Sequence, residues 1–152
     1  MVKEFNEKWV SNKDKLEAKL LTLQQNDVDE YEKLLKLVIE IIFNADDEHY
    51  WKKVDASEIT KIDFGDYQGT LIFVYHEDTY QPSTHETFYT SVEYGSCSGC
   101  DTLLNILEWI DYKATLSESQ VKDLMTLCLH MVENTYRFKD YFEETIHDEK
   151  EN

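Results

Sequence analysis

The residues best suited to chemistry are Cys97 and Cys100, a C-x-x-C pair within residues 94–104 (YGSCSGCDTLL). Such a pair can act as a redox couple when the start of a helix stabilises the thiolate of one cysteine. Asp101 argues against this chemistry, because a carboxylate beside the thiols opposes thiolate formation. The chain also lacks the alternating strand–helix pattern of thioredoxin-like enzymes. We therefore predict that the protein is not an enzyme, with thiol redox activity as a minor alternative.

Zinc binding is a second interpretation of the same two cysteines. Zinc in proteins commonly takes four Cys or His ligands, of which this pair supplies two. His76 and His85, earlier in the chain, would supply the others. A strong zinc sequence would contain a second closely spaced pair, and this chain has none. We expect no cofactor, and zinc held by Cys97, Cys100, His76 and His85 is a secondary hypothesis.

The glycines and hydroxyl residues of this loop favour a third interpretation, a pocket for an anion or another small ligand. Backbone amides beside glycines and a helix start can bind a phosphate. However, no lysine or arginine lies near, and neither common phosphate-binding glycine motif is present. A tight turn that needs glycine for structural reasons explains the loop equally simply. The candidate ligand-binding residues are Gly95, Ser96, Ser98, Gly99, Asp101 and Thr102.

The segments around the loop predict the fold that positions it. Apolar residues recur at helical spacing in residues 1–45 and again in residues 99–145, where the final helix is expected to run through Arg137. Residues 57–95 instead alternate with a period of two and read as three antiparallel strands. The middle strand is apolar on both faces and is therefore expected to be central. We predict a single α+β domain of order ααβββαα, a three-stranded β-meander flanked by N-terminal and C-terminal helices, with a frayed acidic tail at residues 146–152.

Net charge is the strongest global feature, because 32 acidic residues against 15 basic ones give −17. Arg137 is the only arginine, so direct binding to a nucleic-acid backbone is not expected. No apolar run is long enough to span a membrane and no secretory signal precedes the first helix, so we expect a cytoplasmic protein. An acidic surface would attract a partner with a basic surface. Nucleic-acid mimicry is one form of such binding, and solubility alone is the alternative explanation of the charge. A homo-oligomer is compatible with the sequence.

Tyrosines and carboxylates around the predicted sheet are candidates for contacting such a partner. Exposed tyrosines often contribute much of the binding energy at protein interfaces. The same carboxylates contain no calcium-binding loop motif and are more simply surface charge. The partner-binding candidates are Tyr67, Tyr80, Asp63, Asp66, Glu77 and Asp78.

Three short motifs carry a resemblance to known proteins: GDYQGT at residues 65–70, YHEDTYQP at 75–82 and YGSCSGCDTL at 94–103. Over residues 65–107 the chain resembles a group of small uncharacterised proteins encoded by bacteriophages. This resemblance implies an accessory protein that acts in the bacterial host cytoplasm. It implies no catalytic residue, and it favours a protein that binds and inhibits or modulates a host DNA-binding or defence factor.

Overall fold

The N-terminal helix α1 (Lys3–Leu20) opens the fold in the computed structural model, which describes residues 2–45, 53–65, 69–95, 102–107 and 113–138. Its buried apolar residues are four or seven positions apart, so they share one face of the helix. That face is buried against the rest of the molecule and includes Phe5, Trp9, Leu16 and Leu20. The helix continues through Val10 without a break.

The second helix, α2 (Tyr31–Val38), continues directly into a π-helical turn (Ile39–Phe43). The helical segment ends at Asn44, whose side chain hydrogen-bonds both the amide and the carbonyl of Val54. Lys8 of α1 is buried and donates from Nζ to the Phe43 carbonyl at 2.7 Å. The Lys8 contact satisfies a carbonyl at the C-terminal end of the helix and connects α1 to it.

A four-stranded antiparallel sheet of order β1-β2-β3-β4 forms the second layer: β1 (Thr60–Gly65), β2 (Gly69–His76), β3 (Thr87–Tyr94) and β4 (Thr135–Arg137). The α+β class and the single domain are therefore confirmed, and β2 is a central strand as predicted. The prediction of three strands, in the order ααβββαα, is wrong because the chain adds β4.

Strand β4 occupies residues that we predicted to be the end of the last helix. That helix, α4 (Glu118–Glu133), stops before Thr135, whose hydroxyl donates to the Met131 carbonyl at 2.7 Å. Beyond this point residues 135–137 pair with residues 88–90 of β3. This pairing gives hydrogen-bond partners to backbone groups of β3 and of residues 135–137. A helix that continued through these residues would not provide those partners to β3. The predicted helical stretch 99–145 is thus wrong at residues 135–137.

Two helices of very different length occupy the C-terminal third. Helix α3 (Thr102–Ile106) is a short segment, whereas α4 begins at a capping box in which the Ser117 hydroxyl accepts from the Gln120 amide at 3.1 Å. The spacing of Ser117 and Gln120 in the sequence predicts such a box, and the structure confirms it. The predicted acidic tail, residues 146–152, lies outside the described residues. No helix of the described ranges has both the length and the apolar character needed to cross a membrane.

The core lies between the helices and one face of the sheet, which we call the inner face. Strand register places Phe73, Tyr75, Phe88 and Thr90 on this face, and all four are buried. The ring of Phe5 contacts the ring of Phe88 from the helical layer, with centroids 5.1 Å apart. We expected Leu35, Val38, Phe73, Leu107 and Leu124 in the core; all are buried except Leu107, which is half-buried.

Candidate functional site

A cavity of about 230 Å³ lies between the start of α2 and the inner face of the sheet, and we call it the α2–β1 groove. Its lining comprises three carboxylates, one lysine, two tyrosines and four apolar side chains. The described lining residues are Asp29, Glu30, Tyr31, Glu32, Lys61, Leu71, Phe73, Tyr94, Leu103 and Leu104.

Two tyrosines fix the walls of the groove. The Tyr31 hydroxyl accepts a hydrogen bond from the Leu103 amide at 3.3 Å, which joins the start of α2 to α3. The Tyr94 hydroxyl donates to Asp63 Oδ1 at 2.5 Å across the sheet. Both rings thus present apolar surface toward the groove while their polar ends are bonded elsewhere.

The charge at the mouth of the groove is negative. Asp29 is partly neutralised by Lys33, whose Nζ lies 2.6 Å from Asp29 Oδ1. This hydrogen bond raises the pKa of Lys33 above its usual value. Glu30 is exposed, and its charge adds a smaller contribution to the raised pKa of Lys33. Lys61 and the positive end of the α2 dipole, equivalent to about half a unit charge, offset part of the charge of Glu30 and Glu32 and leave a small net negative charge in the groove.

Two residues of this groove come directly before and after the predicted ligand-binding segment in the sequence. Tyr94 and Leu103, which line the groove, immediately flank residues 95–102. Gly95 is buried, and Thr102 is an exposed residue at the start of α3. Ser96, Ser98, Gly99 and Asp101 lie outside the described residues, as do Cys97 and Cys100, so their ligand-binding and metal roles stay predictions.

A second cavity, of about 350 Å³, lies on the other side of Thr102, between the end of β3 and α4. Its lining is more polar and carries a single described carboxylate, Glu93, together with His130. Next to it, the Ser91 amide donates to the Asn134 carbonyl at 3.4 Å, which connects β3 to the end of α4. The described lining residues are Thr70, Ser91, Val92, Glu93, Thr102, Leu127, His130, Met131 and Asn134.

His76 lies in a different environment from the one that the zinc hypothesis assumed. Its Nδ1 donates to the Glu77 carbonyl at 2.7 Å, and its Nε2 lies 3.1 Å from Glu58 Oε2. The bond to the Glu77 carbonyl, followed by the bond to Glu58, raises the pKa of His76. The structure therefore favours an imidazolium–carboxylate pair at this position, because only the protonated ring donates from both nitrogens.

Asp55 completes a group of three with Glu58 and His76, whose potential ligand atoms all lie within 4.8 Å of one another. Hydrogen bonds from the Ser57 side chain and amide, at 2.6 and 2.8 Å, lower the pKa of Asp55. His85 is exposed in the 3₁₀ turn before β3 and is not a member of this group. Sequence reasoning missed Asp55 and Glu58, which lie 21 and 18 positions before His76 and meet it only through the fold.

The predicted partner-binding residues differ strongly in exposure. Tyr80 is 92% exposed, and Asp78 and Asp63 are exposed as well. Glu77 instead lies inward at 9% exposure, where its Oε1 is 3.4 Å from Nη1 of Arg137. Tyr67 and Asp66 lie outside the described residues.

Two apolar residues near these candidates are exposed although the sequence did not single them out. Ile62 and Phe64 alternate with charged residues in β1, which is typical of a strand with one buried face. In the structure both are exposed, Phe64 by 62%. Together with Tyr80 they add large apolar side chains to an otherwise charged surface.

Comparisons with models of protein families, with curated proteins and with solved structures found no match to this chain.

Proposed function

We propose that this chain is a non-enzymatic interaction protein that binds a basic surface of another protein, with the α2–β1 groove receiving a lysine or arginine side chain. The observation that carries this proposal is the composition of the groove, which combines apolar walls with three carboxylates against one lysine. No enzymatic role is part of the proposal.

A long cationic side chain matches both parts of the groove. Its aliphatic stem would lie along Leu71, Phe73 and Leu103, while its charged end would meet Glu30 and Glu32 at the mouth. The cavity volume supports a single side chain over a larger ligand, since about 230 Å³ lies below the roughly 300–1,000 Å³ of typical small-molecule pockets. Arginine is the better fit of the two, because its planar group can bond a carboxylate through two nitrogens.

The net charge of −17 would attract a basic partner before contact is made. The bacteriophage resemblance supports a host factor as that partner, such as a DNA-binding or defence protein, whose nucleic-acid surface an acidic protein would occupy. On this proposal the protein acts in the host bacterial cytoplasm as an inhibitor or modulator. It would resemble a nucleic acid in charge without binding one.

A direct test titrates the protein with N-acetyl-arginine methylamide and follows its amide resonances by NMR. We expect chemical-shift changes centred on Glu32, Leu71 and Leu103, and none with the uncharged norleucine analogue at the same concentrations. Shifts spread over the whole acidic surface, or equal shifts with both probes, would contradict a role for the groove.

A second test uses the partner itself, isolated on immobilised protein from bacterial lysate and then purified. Changing Glu30 and Glu32 together to glutamine should weaken binding by about tenfold or more, because charged pairs at interfaces are worth more than about 1.4 kcal/mol when desolvated. The matched control changes Glu17 and Glu118, exposed carboxylates on α1 and α4, by the same charge. Equal losses in both variants would indicate general charge attraction without a groove.

A small-ligand module centred on residues 95–102 is the second candidate. The specific observation in its favour is the cavity of about 350 Å³ beside Thr102, which falls in the size range of ligand pockets and is lined by hydroxyl and amide groups. Zinc analysis of the purified protein tests the metal version of this candidate. One zinc per chain, lost when Cys97 and Cys100 are changed to serine, would replace the interaction proposal with a metal site.

A further inference from the structure

Strand β1 is the edge strand of the sheet in the part of the chain that the structure describes. Within the described ranges it pairs only with β2, and all six of its residues are exposed. Its two apolar side chains, Ile62 and Phe64, are 40% and 62% exposed. The strand contains no proline, and its pairing with β2 runs residue for residue without a bulge. Proline and bulges are two of the features by which proteins prevent an edge from pairing with another strand.

The order of charges along β1 is self-complementary. Lys61 and Asp63 lie on the same face of the strand, one on each side of Ile62, which lies on the opposite face. When two copies of the strand run antiparallel with Ile62 opposite Ile62, Lys61 of one copy faces Asp63 of the other. The two-fold symmetry of such a pair repeats this contact, so both charges of each copy meet an opposite charge.

Neighbouring registers do not have this property. In one continuous sheet, residues that lie opposite each other in two paired strands are on the same face. A symmetric pair of β1 strands must therefore be centred on one residue, and the nearest alternatives to Ile62 are Lys61 and Asp63. Centring the pair on Lys61 puts two lysines opposite each other, and centring it on Asp63 puts two aspartates opposite each other. Like charges directly opposite across strands are destabilising.

We propose that a second copy of this chain is the partner of the β1 edge, in the antiparallel register centred on Ile62. The two four-stranded sheets then join into one sheet of eight strands. On the outer face, away from the helices, Phe64 of each copy covers Thr60 of the other and the two Ile62 side chains meet. This contact removes the exposed apolar residues of β1 from water and provides partners for the open backbone edge.

Two opposing effects set the salt dependence of this dimer. Each copy carries a net charge of −17, so the two chains repel each other at long range. Added salt screens that repulsion over distances beyond about 8 Å at physiological ionic strength, while the short Lys61–Asp63 contacts are screened less. Dimerisation should therefore strengthen from low salt to physiological salt.

Analytical ultracentrifugation of the full chain, with no partner protein added, tests the proposal. We expect a concentration-dependent monomer–dimer equilibrium. Lys61→Asp should weaken it by about tenfold or more, because both symmetric contacts become repulsive. Lys13→Asp on α1 is the matched control, since it changes the net charge equally at an exposed position outside β1. A monomer at every concentration, or equal weakening by both variants, would overturn the proposal.

The charge-reversal series identifies the register. Asp63→Lys alone should also prevent dimerisation, whereas the double variant Lys61→Asp with Asp63→Lys should restore it. An equimolar mixture of the two single variants should form a heterodimer although neither associates alone. Failure of both the double variant and the mixture to associate, with circular dichroism unchanged, would refute this register.

Because Asp63 also accepts the hydrogen bond from Tyr94, a variant at this position can unfold the sheet. Ile62→Asp avoids this difficulty, since Ile62 is exposed and lies on the opposite face of β1 from Asp63 and the groove. It places two carboxylates opposite each other at the centre of the pair. A dimer that survives Ile62→Asp would show that β1 is not the contact surface.

Discussion

The thiol of Cys128 makes the stability of this protein sensitive to alkaline pH. Cys128 lies on α4 and is fully buried among apolar residues. Burial raises the pKa of the thiol from 9.0 to about 12, because the thiolate would lose its hydration. A group whose pKa is higher in the folded state contributes stability that is fully present below its unfolded pKa. That contribution is lost as pH rises from 9 toward 12.

The expected magnitude follows from this difference. Between pH 8 and pH 10 the unfolded chain releases the thiol proton, whereas the folded chain retains it. One pKa unit corresponds to about 1.4 kcal/mol, so Cys128 lowers the free energy of unfolding by about 1.4 kcal/mol over this range. Replacing Cys128 by alanine removes the effect. The stability difference between wild type and variant should therefore shrink by that amount from pH 8 to pH 10.

Urea unfolding of both proteins at pH 8, 9 and 10, followed by circular dichroism in the presence of a reductant, measures this difference. Tyr75 also has its pKa raised by burial, to about 12, but it is present in both proteins and cancels in the comparison. The other tyrosines and lysines cancel in the same way. If the two stability curves stay parallel across this range, the buried thiol is not the titrating group and the reasoning is refuted.

Three further predictions concern local contacts. Thr135→Val should lower the free energy of unfolding by about 1–3 kcal/mol in urea unfolding, because the buried Thr135 hydroxyl bonds both Thr90 and the Met131 carbonyl; an unchanged midpoint would contradict this. Glu58→Gln should lower the pKa of His76 in an NMR titration. The stability from this pair, present below about pH 6.5, is lost as pH rises through the folded pKa, and an unchanged titration would exclude the pairing. Ser117→Ala should lower the free energy of unfolding by about 1 kcal/mol in thermal unfolding, because the α4 cap is lost. Ser119→Ala, two residues further along α4, should lower it much less.

Local patterns were sufficient for the helices and for the central strand. The spacing of Phe5, Trp9, Leu16 and Leu20 places them on one face of a helix whatever lies opposite, so α1 could be predicted from its own residues. The cap at Ser117 is likewise set by residues three apart. Strand β2 was predicted to be central because both of its faces are apolar, and in the sheet it has a neighbouring strand on each side.

The sequence by itself therefore determined the α+β class, the helices with strong apolar spacing, the central strand and the acidic charge of −17. Tertiary structure decided that residues 135–137 form a strand, because the end of α4 brings them to the edge of β3, with which they pair. It also decided the candidate sites. The α2–β1 groove combines residues 29–32 with Lys61, Tyr94 and Leu103, and His76 meets Glu58 only across the fold. Local spacing cannot predict such groupings, because they depend on how distant segments pack and not on the period of any one of them.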